Sequence, residues 1–298
     1  MATKRAPHAP TATTSTLPKR ATRLPSALSS TQRKLPSYGK PPITEVTMGV
    51  LFDHAISEFL ITHVGLFWKK VIGDFPLAQH AAPLVGIGGE PRWLDGVSGL
   101  PLPRVWLLST AKTELLQLQG DCFYFNWRKL NDDDIYPRYT TILVAFNRWL
   151  SLFTEFLSEQ GLPEPKAGQC ELSYINHIPQ GVAWKSLSDT EKIFPDFQWR
   201  PEGETGQRFL ERPKGISWTS TFALPEEMGT LTARLVQVKR LTDSTQALRL
   251  EMSAKGIGAT TSLRDLASWF DVAHESIVYG FTDLTTVEAQ TNLWERET

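Results

Sequence analysis

The segment ELLQLQGDCFYFNWR, residues 114–128, decides the fold class because it has the pattern of a β-hairpin. Two runs rich in strand-forming residues flank Gly120-Asp121, and a pair with glycine first is typical of a two-residue hairpin turn. Side chains alternate between the two faces of a strand. The expected core face of the second strand carries Phe123, Phe125 and Trp127. The other face is semipolar and carries Cys122, Tyr124, Asn126 and Arg128.

Further strands and helices extend this hairpin toward both ends of the chain. Alternating patterns predict strands at residues 44–53, 104–110, 169–178, 216–224, 230–241 and 246–254. Apolar residues at helical spacing predict long helices at residues 54–75, 136–161 and 262–281. Pro137 suits the first turn of the second helix, and Gly161 suits its end. A capping box formed by Ser262 and Asp265 is expected to start the third helix.

The order of these elements predicts the domain organisation. Residues 76–103 are rich in glycine and proline and are predicted to form a long loop, whose Gly86, Gly88 and Gly89 lack the spacing of a dinucleotide fingerprint. A first α+β part, residues 41–180, precedes a second βββα part, residues 181–298, in one compact unit. The predicted fold class is α+β, with a curved antiparallel sheet packed on two or three long helices. Helix-grip-like halves are consistent with this pattern.

The basic residues of the chain are distributed unevenly. Residues 1–40 contain eight of the 31 lysines and arginines and no acidic residue, so the other 23 basic residues face 32 acidic ones in the rest of the chain. This tail has one aromatic residue, Tyr38, and too little apolar surface to fold alone. We expect a disordered, solvated tail, and an arm that binds nucleic acid or an acidic protein is the alternative.

Composition restricts the cellular setting. Of the 298 residues 41% are hydrophobic, which is enough for a substantial core. No apolar run reaches the length of about 18 residues that a membrane span needs, and no secretory signal is visible. The two cysteines, Cys122 and Cys170, form no disulfide framework or zinc pattern and suit a reducing compartment. We expect a cytoplasmic protein with no membrane association, metal or cofactor.

The polar end of the second hairpin strand has two interpretations. Asn126 and Arg128 either close the sheet by hydrogen-bonding loop carbonyls and the acids 132–134, or they line a cavity and hold an anion. The acids 132–134 suit the start of a helix, where backbone N–H groups are unpaired. A cation such as Arg138 is unfavourable at a helix start, so it predicts a specific partner, either one of these acids or an external group.

A semipolar patch at this end of the sheet is the best candidate binding site. In the strand at residues 169–178, Tyr174 and Asn176 share a face, and they would converge with the semipolar face of the hairpin if the two strands were neighbours. The segment 132–139 would form the lip of a sheet-lined cavity. His274 is either a buried structural histidine or a base that faces the cavity. The candidate ligand- or partner-binding residues are Tyr124, Asn126, Arg128, Tyr136, Arg138, Tyr139, Tyr174, Asn176 and His274.

Five short motifs occur in order along the chain, PPITEV, NWRK, YPRY, ELSYINHI and HESIVYGF. Their order and spacing, across residues 41–285, resemble a sporadically distributed, uncharacterised bacterial family. The resemblance implies a cytosolic prokaryotic protein of the kind found in defence or mobile gene contexts. It carries over no catalytic residues, and the basic tail lies outside it.

The sequence favours a binding protein over an enzyme. It contains no HExxH, GxSxG, P-loop or CxxC motif, and His54 and His63, both on the first predicted helix, lack metal-ligand spacing. We therefore predict a non-enzymatic binding or accessory subunit of a bacterial cytosolic complex, with a role in antiviral defence, that recognises a protein partner, a second copy or a small ligand. Tryptophans in predicted loops are frequent interface anchors, and here they are Trp93, Trp184, Trp199 and Trp294.

Two alternatives remain open. One is a hydrolase-like or cyclase-like pocket enzyme, which requires its catalytic groups to lie within about 8 Å of one another around a void so that they reach a common substrate atom. Its candidate groups are Asn126, Arg128, Asn176 and His274. The other alternative is nucleic-acid binding through residues 1–40, although the acidic remainder offers no duplex-sized basic surface.

Overall fold

The structure is built on a single broad sheet. The computed structural model describes residues 34–84, 104–198, 213–239, 245–258 and 261–298. The strands are β1 (Ile43–Phe52), β2 (Leu77–Ala81), β3 (Arg104–Leu108), β4 (Glu114–Gln119), β5 (Cys122–Arg128), β6 (Ala167–Pro179), β7 (Ser217–Ala223), β8 (Thr230–Lys239) and β9 (Gln246–Gly256). The helices are α1 (Ile61–Val71), α2 (Tyr139–Glu159), α3 (Ala267–Leu284) and α4 (Val287–Asn292).

All neighbouring strands of the described sheet run antiparallel, in the order β2-β3-β4-β5-β1-β6-β9-β8-β7. The predicted α+β class with a large antiparallel sheet is therefore confirmed. The sheet is open, because β2 and β7 lie at its opposite ends. The hairpin of β4 and β5 is confirmed, and so is the pairing of β8 with β9.

One face of the sheet packs against the helices through aromatic rings. The Phe123 ring of β5 lies 6.2 Å from Phe146 and 5.3 Å from Phe153, both on α2. Phe146 in turn packs against Phe270 of α3 at 5.1 Å, and Phe153 packs against Phe67 of α1 at 5.3 Å. All five rings are almost completely buried. The predicted core face of β5 and the apolar stripe of the second helix are thus confirmed.

Residues Leu35 to Thr298 form one compact unit whose first residues pair with its last. Gly39 N–H donates to the Glu295 carbonyl at 3.0 Å, and Glu297 N–H donates to the Ser37 carbonyl at 2.9 Å. The segment 35–42, hereafter the N-terminal strap, begins within the predicted tail. The strap is anchored by Tyr38, which is 6% exposed and packs edge-on against Phe281. Residues 1–33 of the predicted tail lie outside the described residues.

All three long helices begin later than the sequence predicts. Helix α1 starts at Ile61 because Glu58, with a φ of 63°, adopts a left-handed conformation that interrupts a helix, so His54 is not on it. Helix α2 starts at Tyr139, which leaves Pro137 ahead of the first turn. The capping box at α3 is wrong, since 262–265 forms a turn before Ala267 in which Asp265 N–H donates to the Ser262 carbonyl at 3.2 Å.

The predicted loop at residues 76–103 contains an edge strand instead. Strand β2 pairs with β3, but its side chains are mostly exposed, so it lacks the alternation that marks a half-buried strand. The glycine cluster of this segment lies outside the described residues, as do Trp93 and Trp199. The other two loop tryptophans belong to the core and not to an exposed anchor surface, because Trp184 is 2% and Trp294 4% exposed.

A substitution at Gly49 of β1 would test how closely the sheet is packed. An added Cβ would overlap the Tyr124 ring, which crosses the Gly49 backbone on the face opposite the helices. Overpacking of a buried site costs about 1–3 kcal/mol. We expect Gly49→Ala to lower the free energy of unfolding by that amount in urea titrations. Gly65→Ala on α1 meets no atom within 4 Å and should be neutral or slightly stabilising, and equal effects of the two changes would contradict this account.

Candidate functional site

A cavity of about 250 Å³ lies on the helix-facing side of the sheet, where the start of α2 comes near the middle of α3. Strands β6 and β9 supply its floor, and the N-terminal strap and Ile43 line it from the remaining side. Most of the lining is apolar or aromatic. Besides the strap and Ile43, the lining residues are Tyr136, Arg138, Tyr139, Thr140, Tyr174, Asn176, Met252, His274, Ile277, Val278 and Phe281. We call it the tyrosine–histidine cavity.

A chain of hydrogen bonds crosses this cavity. The Tyr136 and Tyr174 hydroxyls are 3.2 Å apart, and the Tyr174 hydroxyl lies 2.9 Å from Nδ1 of His274. The chain is complete when Tyr136 donates to Tyr174 and Tyr174 donates to Nδ1. A neutral His274 then carries its proton on Nε2, for which the described part of the chain offers no partner. The cavity therefore contains one unused N–H donor.

Burial keeps the polar groups of the cavity uncharged near neutral pH. It lowers the pKa of His274 to about 4, although the nearby Asp271 carboxylate opposes this shift. It raises the pKa of Tyr136 to about 12 and raises that of Tyr174 well above its usual value. The pKa of Tyr139 is also raised, first by burial and then by its hydrogen bond to Asp271. Neutral hydroxyl and imidazole groups can donate and accept hydrogen bonds, but they provide no anionic nucleophile.

Tyr139 fixes the histidine ring by stacking on it. The two rings are nearly parallel, 5° apart in plane and 3.9 Å between centroids. The Tyr139 hydroxyl donates to Oδ1 of Asp271 at 2.7 Å, one turn before His274 on α3. The first residue of α2 therefore helps to fix the orientation of a side chain on α3.

Arg138 is the one cationic side chain that lines this cavity among the residues described. It is exposed and has a left-handed φ of 72°, which is strained for a residue other than glycine. Its guanidinium donates to the Tyr38 carbonyl of the strap at 2.9 Å. Of its two predicted partners, the acids 132–134 form no ion pair with it, and Asp134 accepts instead from the backbone N–H groups of Leu130 and Asn131 in a turn. These acids also precede α2 by several residues and do not cap it.

The structure places Tyr124, Asn126 and Arg128 on the opposite face of the sheet. Strand β1 lies between β5 and β6, so the condition that the two strands be neighbours is not met. In the observed register Val46 of β1 faces both Trp127 and Tyr174, which puts Tyr174 on the helix face together with Trp127. The predicted patch is therefore divided. The residues on the helix side of the sheet are Tyr136, Arg138, Tyr139, Tyr174, Asn176 and His274. Those on the opposite face are Tyr124, Asn126 and Arg128.

Asn126 belongs to a buried polar network. Its Oδ1 accepts from Gln117 Nε2, and its Nδ2 donates to Glu45 and to Thr47, each at 2.6 Å. Burial raises the pKa of Glu45, and the hydrogen bond from Asn126 and the charges of Arg128 and Arg249 lower it. This network corresponds to the structural interpretation of Asn126.

Arg128 takes up a related structural position near the end of β5. Its Nη2 donates to the Lys112 carbonyl at 2.9 Å, and its guanidinium lies 5.6 Å from the Trp106 ring. It also lines an open cavity of about 470 Å³ together with Glu45. Of the four groups required by the pocket-enzyme alternative, only Asn176 and His274 line the tyrosine–histidine cavity.

Other predicted or possible reactive groups are accounted for by the core. Cys122 and Cys170 are buried free thiols whose pKa burial raises, which confirms them as core residues. The described residues contain no cluster of three or more potential metal ligands. None of the described helices has the length and apolar character needed to cross a membrane.

The strap was not predicted to be part of a site. Tyr38 is the single aromatic residue in a segment that otherwise resembles a disordered tail, and this was the available signal. Its carbonyl accepts from Arg138, and its hydroxyl is 2.8 Å from the Thr282 hydroxyl of α3. One buried tyrosine thus joins the strap to both helices of the cavity.

No protein-family model matches this sequence, and no curated protein matches it. Any functional conclusion therefore depends on the geometry of the chain itself.

The buried polar network gives a direct stability test. Asn126→Ala removes the acceptor of Gln117 Nε2 and one of the donors to Glu45, and a buried unsatisfied polar group costs about 1–3 kcal/mol. We expect this loss of unfolding free energy in chemical denaturation. Asn147→Ala, at an exposed position of α2, should change it by no more than about 0.5 kcal/mol. Equal effects would show that the network does not contribute to stability.

The shifted pKa of His274 predicts a pH-dependent stability. The unfolded chain binds a proton at the usual histidine pKa of 6.5, whereas the folded chain binds it only near pH 4. The folded state therefore loses stability as the pH falls from 6.5 to 4, by about 2–3 kcal/mol from this residue. Unfolding free energies measured across this range should fall less steeply in His274→Gln than in the unchanged protein. The same pH dependence of the unfolding free energy in both proteins would contradict the lowered pKa of His274.

Proposed function

We propose that this chain is a non-enzymatic binding protein whose tyrosine–histidine cavity takes a small, mainly apolar ligand with one carboxylate. The observation that carries this proposal is the combination of an apolar lining, neutral hydrogen-bonding groups inside and one cation, Arg138, that is exposed to solvent. Ligand sites usually have apolar walls with a few placed polar groups. A ligand with its apolar body inside and its carboxylate at Arg138 matches this arrangement.

The volume of the cavity limits the size of the ligand. At about 250 Å³ it lies just below the range of about 300–1,000 Å³ that is common for drug-sized ligands. A single ring with a short side chain is therefore the expected scale. The aromatic rings in the lining, among them Tyr139, His274 and Phe281, favour an aromatic body, because aromatic pairs add to the effect of burial.

The electrostatics of the cavity favour binding over catalysis. A histidine with a pKa near 4 is a weak base at neutral pH, and the neighbouring phenols are far from ionisation. Arg138 has no carboxylate partner within the described chain, so a ligand carboxylate can supply one as a charge-assisted pair. This supports an accessory or sensor role over the pocket-enzyme alternative.

The packing of the helices on the sheet suggests how the fold is divided. Helix α2 packs against β5 and β1, and α3 packs against β6, β8 and β9. We propose that these are two helix-grip-like halves of a curved sheet, with the cavity near their junction. The two buried free thiols support a reducing compartment, such as the cytoplasm.

The proposal is tested by comparing acids with their amides. We would titrate the full chain with benzoate, phenylacetate and indole-3-acetate, and with the matching primary amides, using calorimetry or ligand-observed NMR. The acids should bind more tightly than the amides. Arg138→Gln should weaken binding of the acids by about tenfold or more, equal to about 1.4 kcal/mol, and leave the amides unaffected.

A matched control separates Arg138 from general charge effects. Arg264→Gln removes an exposed arginine outside the cavity, and it should leave the acid affinity unchanged. If neither the acids nor the amides bind, the proposed class of small apolar carboxylates is rejected. Equal losses in Arg138→Gln and Arg264→Gln would reject the assignment of Arg138 to the ligand carboxylate.

A further inference from the structure

Strand β7 lies at one edge of the sheet, and no described strand covers it. It is the last strand in the order, and no strand of the described ranges pairs with its outer side. The sequence SWTSTFA contains neither charge nor proline, and five of its seven residues are exposed. Native proteins usually protect such edges with lysine, proline, bulges or a covering segment, because the free backbone groups can pair with another chain.

The register of β7 on β8 shows which backbone N–H and carbonyl groups of β7 point outward, away from β8. Gln237 N–H donates to the Ile216 carbonyl at 3.1 Å, and Leu224 N–H donates to the Gly229 carbonyl at 2.9 Å, one pair at each end of the β7–β8 ladder. Hydrogen-bonded pairs alternate along an antiparallel ladder, so the even-numbered residues of β7 bond to β8. The outward N–H and carbonyl groups therefore belong to Ser217, Thr219, Thr221 and Ala223.

We propose that β7 pairs with β7 of a second copy, antiparallel, about a two-fold axis at Ser220. This register places Thr219 of each chain opposite Thr221 of the other, as hydrogen-bonded pairs that use the outward groups. It also places Trp218 opposite Phe222 at the non-hydrogen-bonded positions, where side chains approach most closely. Each of these pairs occurs twice, as a two-fold interface requires.

The strand sequence is self-complementary in this register. Ser220 faces itself, threonine faces threonine, and the two aromatic residues face each other across the axis. No like charges meet, so nothing in the strand opposes its own pairing. A second copy is therefore the occupant that fits this edge best.

Side chains on the helix face add apolar contact to the backbone pairing. Phe222 faces Leu231 of β8 in register, so Trp218, Ser220 and Phe222 lie on the helix face. Phe222 is 45% exposed and borders an open groove of about 570 Å³ beside α3. Pairing over seven residues gives a small interface, and interfaces below about 1,200 Å² are typically weak or transient, so we expect a reversible, concentration-dependent dimer.

Two charge variants that differ at one position test this register. Thr219→Glu with Thr221→Glu places glutamate opposite glutamate across the axis, whereas Thr219→Glu with Thr221→Lys places glutamate opposite lysine. Within one chain these positions face Arg234 and Thr232, so neither variant adds a like-charge pair to the β7–β8 ladder. Thermal unfolding would establish that both variants fold.

Sedimentation equilibrium over a concentration series would measure the dimer. The unchanged protein should show a monomer–dimer equilibrium. The dissociation constant should rise about tenfold or more in the glutamate–glutamate variant, equal to about 1.4 kcal/mol, and stay near the original value in the glutamate–lysine variant. A monomer at all concentrations would overturn the proposal. So would a dimer that the glutamate pair does not weaken, or one that the glutamate–lysine pair weakens equally.

Discussion

The register of β1 between β5 and β6 determines which side chains meet on each face of the sheet. Val46 faces both Trp127 and Tyr174, and Thr47 faces both Asn126 and Ser173. A shift of one residue in either pairing would exchange these faces, because side chains alternate with a period of two. The tyrosine–histidine cavity and the Asn126 network therefore depend on the same register, one on each side of the central strands.

The two faces hold this register by different physical means. The helix face uses aromatic packing, in which Phe123 of β5 contacts α2, and α2 contacts α3. The other face uses a satisfied polar network around Asn126, and an unsatisfied group there would be costly because the surroundings exclude water. A shifted register of β1 would lose the contacts of both faces together. The observed register is therefore strongly favoured.

Local patterns predicted those parts of the fold that depend on near neighbours in the sequence. The hairpin around Gly120-Asp121 and the buried stripe of α2 follow from turn chemistry and helical spacing, which the sequence displays directly. The division of the predicted site could not be foreseen, because it depends on β1 lying between two strands distant in sequence. Strand β2 was missed because an exposed edge strand needs no apolar alternation. The strap was missed because its burial depends on Tyr38 meeting residues near the other end of the chain.

The pairing of the strap with the C-terminal residues has a consequence for the dynamics of the cavity. Apart from the buried Tyr38, the strap is held by backbone hydrogen bonds to the last residues, by side-chain hydrogen bonds of Ser37 and Thr298, and by an ion pair between Lys40 and Glu295 whose side chains are 72% and 53% exposed. Such pairs contribute little, and segments with few buried contacts open before the core does. Closing this contact also joins residues more than 250 positions apart, which costs loop entropy. We therefore expect local unfolding of the strap and residues 294–298 to open the tyrosine–histidine cavity to solvent, with fast amide exchange at Gly39 and Lys40.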